Sequence, residues 1–143
     1  MAARKQWVFD PHSGGQKIPE AVKVEVAQRI QRVAKKHFKG FYIRLDIRFK
    51  GQFCYIDAFR EYRMRKGGRM PKGWPETRAE FQERMRNTPV HLCRLRYFGD
   101  NRWSWAFYTY SHMKYEPTFF PNGRAFGKPE DAFRVAADVY LMH

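Results

Sequence analysis

Apolar residues recur along this chain at two different periods, and the switches between them outline its elements. Val22, Val26, Ile30, Val33, Ala34 and Phe38 lie at helical spacing, behind Pro19 and Glu20 and ahead of Gly40. A proline at the start, an acid in the first turn and a glycine stop predict a helix here. From residue 41 the period falls to two. Phe41, Ile43, Leu45, Ile47 and Phe49 alternate with Tyr42, Arg44, Asp46 and Arg48. Lys50-Gly51 supplies a turn, and the return strand sets Cys54, Ile56 and Ala58 against Phe53, Tyr55, Asp57 and Phe59. This is the pattern of a β-hairpin, and counting outward from its turn brings Asp46 close to Asp57.

The second half repeats the scheme. Thr77 and Glu80 have the T-x-x-E form of a capping box, which predicts a short helix carrying Phe81 and Met85 and ending near Asn87. A second hairpin pairs residues 90–98 with 102–110 across Gly99-Asp100-Asn101. Arg94 and Arg96 alternate on its first strand, Trp103 and Trp105 on its second. Both pairs are expected on an outer sheet face with Arg44, Arg48, Phe53 and Tyr55. Residues 111–127 read as a loop and a small hairpin around Asn122-Gly123, with Phe119, Phe120 and Phe126 to bury. Pro129 then opens a last helix with Phe133, Ala136, Ala137, Tyr140 and Leu141 on its apolar face.

Together these elements predict one α+β domain over residues 19–143, after a turn-rich lead-in over residues 1–18. In that lead-in Trp7, Val8 and Phe9 offer a short strand or a cover for the core. Gly14-Gly15 is a turn, because no P-loop lysine and hydroxyl follow it. The sheet is antiparallel, with four to six strands built from two hairpins, and carries about three helices in the order α-β-β-α-β-β-(β-β)-α. Neither the RNA-recognition motif nor the double-stranded-RNA-binding domain is matched. Gln52 stands where the first needs an aromatic in its octamer, and the last helix opens with Glu130 and Asp131 where the second needs bases.

Charge changes the picture most. The chain has 28 Lys and Arg against 14 Asp and Glu over 143 residues, a net +14. A field of that size attracts polyanions. Because 43% of residues are hydrophobic and 17% aromatic, the charge does not signal disorder. Its densest part is residues 60–75, REYRMRKGGRMPKGWP, where Arg60, Arg63, Arg65, Lys66, Arg69 and Lys72 face one acid, Glu61. A loop this long without secondary structure is usually functional or disordered. Cys54 and Cys93 sit in apolar runs without zinc spacing and read as reduced core residues. No apolar run reaches a membrane span and the N-terminus has no apolar leader, so a soluble cytoplasmic protein with no membrane partner is expected.

These features point to nucleic acid as the partner, gripped by its phosphate backbone without strong sequence specificity, through the loop and an arginine-aromatic sheet face. The candidate contacts are Arg44, Arg48, Tyr55, Arg60, Arg63, Arg65, Lys66, Arg69, Lys72, Trp74, Arg94 and Arg96, with Trp74 and Tyr55 as stacking residues. Two alternatives stand beside this. One is a Mg²⁺-dependent nuclease using Asp46, Asp57 and Glu61, the only case in which a cofactor is expected. Against it, the two aspartates could simply neutralise Arg44, Arg48 and Arg94 in a cross-strand ladder. The other alternative is a basic interaction protein docking on an acidic protein or a ribonucleoprotein. Among the histidines, His12, His37, His91, His112 and His143 show no metal-ligand spacing, and only His112, near Tyr115 and Glu116, is a possible base. The sequence separates neither RNA from DNA nor single from double strands, and it leaves the oligomeric state open.

Overall fold

A computed structural model describes residues 14–62 and 67–142. The proposed contacts Arg63, Arg65 and Lys66, the lead-in strand at Trp7–Phe9, and His12 and His143 lie outside these residues. Three helices, α1 (Glu20–His37), α2 (Arg78–Arg86) and α3 (Pro129–Leu141), alternate with five strands. The strands are β1 (Arg44–Lys50), β2 (Phe53–Phe59), β3 (Val90–Tyr97), β4 (Trp103–Thr109) and β5 (Lys114–Thr118). They form one antiparallel sheet in the order β1-β2-β3-β4-β5. The chain is the expected α+β domain.

Local chemistry explains the boundaries. Pro19 caps α1 from an extended conformation. α2 begins at the predicted capping box, with the Glu80 amide donating to Thr77 Oγ1 and the Thr77 amide to Glu80 Oε1. Pro129 is the first residue of α3, and Gly40, at φ 90°, turns the chain after α1.

α1 and α3 pack on one sheet face. From α1 come Val26, Ile30, Ala34 and Phe38; from α3 come Ala132, Phe133, Ala136, Ala137 and Leu141. The alanines keep the α3 backbone close to the sheet, and Phe133 meets Phe38 edge to face at 5.8 Å. The sheet answers with Cys54, Ile56, Leu92, Cys93 and Leu95. Burial pushes both thiols well above their usual pKa, which leaves them as inert core residues.

The two tryptophans belong to this layer, contrary to the outward placement expected from sequence. Trp105 lies opposite Leu95 and Trp103 opposite Tyr97, and both indoles are buried. Arg94 and Arg96 face Ala106 and Ser104 instead. Opposed residues share a face, so the turn at Gly99-Asp100-Asn101 sets even-numbered positions of the two strands together and sends the odd-numbered tryptophans toward the helices.

The small hairpin expected around Asn122-Gly123 is also replaced. β5 pairs with β4, and a tight turn follows, closed by Phe120 N–H to the Arg124 carbonyl at 2.9 Å and Gly123 N–H to that of Phe120 at 2.8 Å. Of the three phenylalanines there, Phe120 is buried and Phe126 meets Phe98 at 5.0 Å, while Phe119 is exposed.

Two backbone ties fasten the segment before α1. Gln16 N–H donates to the Tyr97 carbonyl at 2.7 Å and Ile18 N–H to that of Gly51 at 3.1 Å. Gly15 sits at φ 91°, where a Cβ would come within 2.7 Å of the Tyr97 carbonyl oxygen. Gly15→Ala should therefore destabilise by about 1–3 kcal/mol, measurable by urea unfolding. In the helix layer, Arg29 of α1 grips Glu130 of α3, with Nε at 2.8 Å, and reaches Asn101 of the β3–β4 turn at 3.0 Å. Burial, the largest single effect, raises the Glu130 pKa, but the hydrogen bonds from Arg29 and from the Glu130 amide, with the charges of Arg29 and Lys128, together outweigh it and the carboxylate ends below its usual range. Its stabilising contribution is thus present above the unfolded pKa and lost as pH falls through the folded one. The stability gap between the wild type and Glu130→Gln should shrink on going from about pH 6 to about pH 3.

Candidate nucleic-acid interface

The sheet face opposite α1 and α3 carries the even-numbered residues of β1 and their partners. Arg48, Tyr55, Arg94, Ala106 and Pro117 form one cross-strand row. Among the described residues no helix lies over this face; α2 buries none of its side chains.

Asp57 organises it. Asp46 and Asp57 are the predicted cross-strand pair. Arg48 bridges them, with Nη2 2.9 Å from Asp57 Oδ2 and Nε 3.3 Å from Asp46 Oδ2. The other Asp57 oxygen, Oδ1, lies 2.9 Å from His91 Nδ1. The Asp57 side chain is 4% exposed, against 33% for His91 and 53% for Arg48. A carboxylate this buried needs hydrogen-bond partners for both of its oxygens.

His91 reaches Asp57 only because β3 carries a bulge. Tyr55 and Ile56 pair with Arg94 and Cys93, but Asp57 pairs with His91, one residue out of register. Regular alternation would set Leu92 opposite Asp57 and turn His91 toward the helices. The extra residue buries Leu92 and Cys93 together and aims the imidazole outward. Sequence reasoning missed His91. The signal was the adjacent apolar pair Leu92-Cys93, which breaks the period-two pattern of β3.

The arginines of this face are stacked on rings. Arg94 lies 4.3 Å from the Phe53 ring centre and 5.3 Å from that of Tyr115; Arg44 lies 3.8 Å from Phe59 and Arg48 5.6 Å from Tyr55. Tyr115 meets Tyr55 at 5.5 Å and Tyr108 at 5.0 Å, both edge to face. Burial, then the negative charge of Asp57, drives the Tyr115 phenol well above its usual pKa, so it stays protonated. Ring packing holds the guanidinium planes in place.

Other proposed contacts have local work. Arg96 is 3% exposed, near Ser104 and above the Phe98 ring, and is part of the packing between strands. Arg60 donates to the Tyr140 carbonyl at 3.1 Å, capping the last turn of α3. Arg69 and Lys72 are exposed. Trp74 is 45% exposed, edge-on to Phe81 at 6.2 Å, with Nε1 donating to Glu76. Tyr62 meets the same ring at 5.2 Å, so the described parts of the basic loop are anchored on α2. Glu61 pairs with Arg86 at 3.3 Å rather than joining the aspartates. Among the described residues no group of three or more His, Cys, Asp or Glu side chains is placed to hold a metal ion. His112, in the β4–β5 turn, lies against Glu116 of β5. No described helix is long and apolar enough to cross a membrane.

A groove of about 720 Å³ lies in the helix layer, lined in part by His37, Phe38, Arg134 and Met142. It shares no residue with the basic face. Compared with protein-family models, curated proteins and solved structures, the chain matches none.

The Arg48–Asp57 pair should be measurable. A double-mutant cycle with Arg48→Ala and Asp57→Ala, followed by urea unfolding, should give a coupling of about 1–3 kcal/mol, kept from the upper end by the half-exposed arginine.

Proposed function

We propose that the protein binds single-stranded nucleic acid by its phosphate backbone, along the helix-free sheet face and the adjoining basic loop. The observation that carries this reading is the row in which Arg48 and Arg94 are held by Asp57, Asp46, Phe53 and Tyr115 on a face that no described helix covers. Guanidinium groups fixed in this way give up little entropy on meeting a phosphate. The rings are already engaged by the protein's own arginines. Bases would therefore meet guanidinium planes as much as bare aromatics, and the mode is tolerant of sequence. An open sheet suits a splayed strand better than a duplex groove, and no helix among the described residues is laid out as a major-groove reader. The loop adds charge where β2 leaves the sheet, at the same end as Asp57. Trp74 offers the most exposed ring beside it.

Fluorescence anisotropy with a labelled single strand, titrated at several salt concentrations, tests the reading. Affinity should fall steeply with salt, and Arg94→Gln and Arg44→Gln should each flatten the log–log slope by about one unit. Replacing Arg63, Arg65, Lys66 and Arg69 together by alanine should flatten it further. Slopes unchanged in all three proteins, with folding confirmed by circular dichroism, would overturn the assignment. Equal displacement of the strand by an acidic polypeptide would move the reading to a protein partner.

A further inference from the structure

The bulge in β3 produces an arrangement with chemical consequences of its own. The buried Asp57 carboxylate lies 2.9 Å from His91 Nδ1; a carboxylate oxygen accepts, which assigns the proton of a neutral ring to Nδ1 and leaves Nε2 as an acceptor. Among the described residues nothing hydrogen-bonds Nε2, and the side chain is one-third exposed. The ring is fixed on three sides. Its centre lies 4.6 Å from that of Tyr108 and 6.4 Å from that of Tyr110, with which it is stacked, and its backbone N–H donates to Tyr110 Oη at 2.8 Å. Arg48, on the other oxygen of Asp57, brings a guanidinium into the same cluster. An oriented base beside a fixed cation is half of an acyl- or phosphoryl-transfer site. What it lacks is a nucleophile, since both cysteines are buried and no serine or threonine adjoins the imidazole in the described contacts.

A substrate that carries its own nucleophile removes that gap. We propose that His91 is the general base of a metal-independent cleavage of RNA, acting on the strand bound by this face; the proposal rests on the binding reading above. In the step, His91 Nε2 takes the proton from a ribose 2′-hydroxyl. The 2′-oxygen forms a bond to the adjacent phosphorus, and the bond from phosphorus to the 5′-oxygen breaks. The departing 5′-oxygen takes a proton from solvent and the imidazolium returns its own to solvent. No oxidant, metal or net water is consumed. The products are a 2′,3′-cyclic phosphate and a 5′-hydroxyl. Arg48 stands where it can offset charge on the phosphoryl oxygens as it builds up. Asp57 touches no substrate; it is a positioning residue that orients the ring.

The test uses the full chain, EDTA, a labelled RNA strand and the same strand with 2′-O-methyl groups, which binds but has no nucleophile. The wild type should cut the RNA to cyclic-phosphate ends and bind the methylated strand without cutting it. His91→Gln should lower the cleavage rate about 100-fold while binding the methylated strand within a factor of two. Asp57→Asn should lower the rate and displace the pH–rate profile, with circular dichroism confirming the fold. Binding of the methylated strand with no cleavage of RNA overturns this inference and leaves the binding reading standing. Equal cleavage by His91→Gln, or cleavage that needs added Mg²⁺, also overturns it. Failure to bind or cut either strand overturns both.

Discussion

A carboxylate shut away from water on the uncovered side of a sheet has to be satisfied by the sheet itself. Asp57 is in that position, and much of the face is arranged around it. Arg48 reaches across from β1 and His91 from β3, so one buried charge ties three adjacent strands together. Losing either partner would leave the carboxylate short of a hydrogen bond in a poorly hydrated place, a far larger penalty than breaking an exposed ion pair. The bulge follows from the same requirement, because only an irregular β3 can present a histidine at that point while keeping Leu92 and Cys93 in the core. The surrounding tyrosines complete the enclosure, and Tyr115 stays neutral partly because Asp57 is charged.

The two faces of the sheet thus do different work. One is a conventional apolar layer under α1 and α3, filled by small helix residues and two tryptophans. The other is polar and aromatic at once, with arginines laid on rings and carboxylates spaced among them. Asp46 and Asp57 offset the charge of Arg48 while fixing its guanidinium, so the positive charge of the face comes from Arg44 and Arg94. Arg96 and Arg60 show the contrast, since their guanidiniums are used inside the fold and add little to what a ligand would meet. The net +14 of the chain describes encounter, while the row of Arg48 and Arg94 describes where an encounter would settle.

Much of the fold was legible because local signals agreed with one another. The turn at Lys50-Gly51 dictates the register of the first hairpin and therefore the Asp46–Asp57 pair. Thr77, Glu80 and Pro129 mark helix starts through the chemistry of unpaired amides. The tryptophans were misplaced although the same counting from Gly99-Asp100-Asn101 puts them inside; aromatic residues beside arginines suggested a surface, but parity decides the face. The β5 strand was obscured by Pro117, which is tolerated because β5 lies at the sheet edge. The site was less legible than the fold. His91 has the parity of a core residue and becomes a surface residue only through the bulge. Arg60 reads as part of a charged run, and only the tertiary structure brings it to the end of α3. Glu61 follows Asp57 by four residues in sequence yet is drawn to Arg86.

The central claim is that a polyanion settles on the helix-free face, and not on the lysines that crowd the end of α1. Backbone and side-chain NMR shifts recorded while a short single strand is titrated in at low salt would test it most directly. The account predicts that the signals of Arg48, Tyr55, His91, Arg94 and Tyr115 move together and saturate at one stoichiometry. Changes confined to Lys35, Lys36, Lys39 and their neighbours, with the Asp57–His91 cluster unmoved, would contradict it.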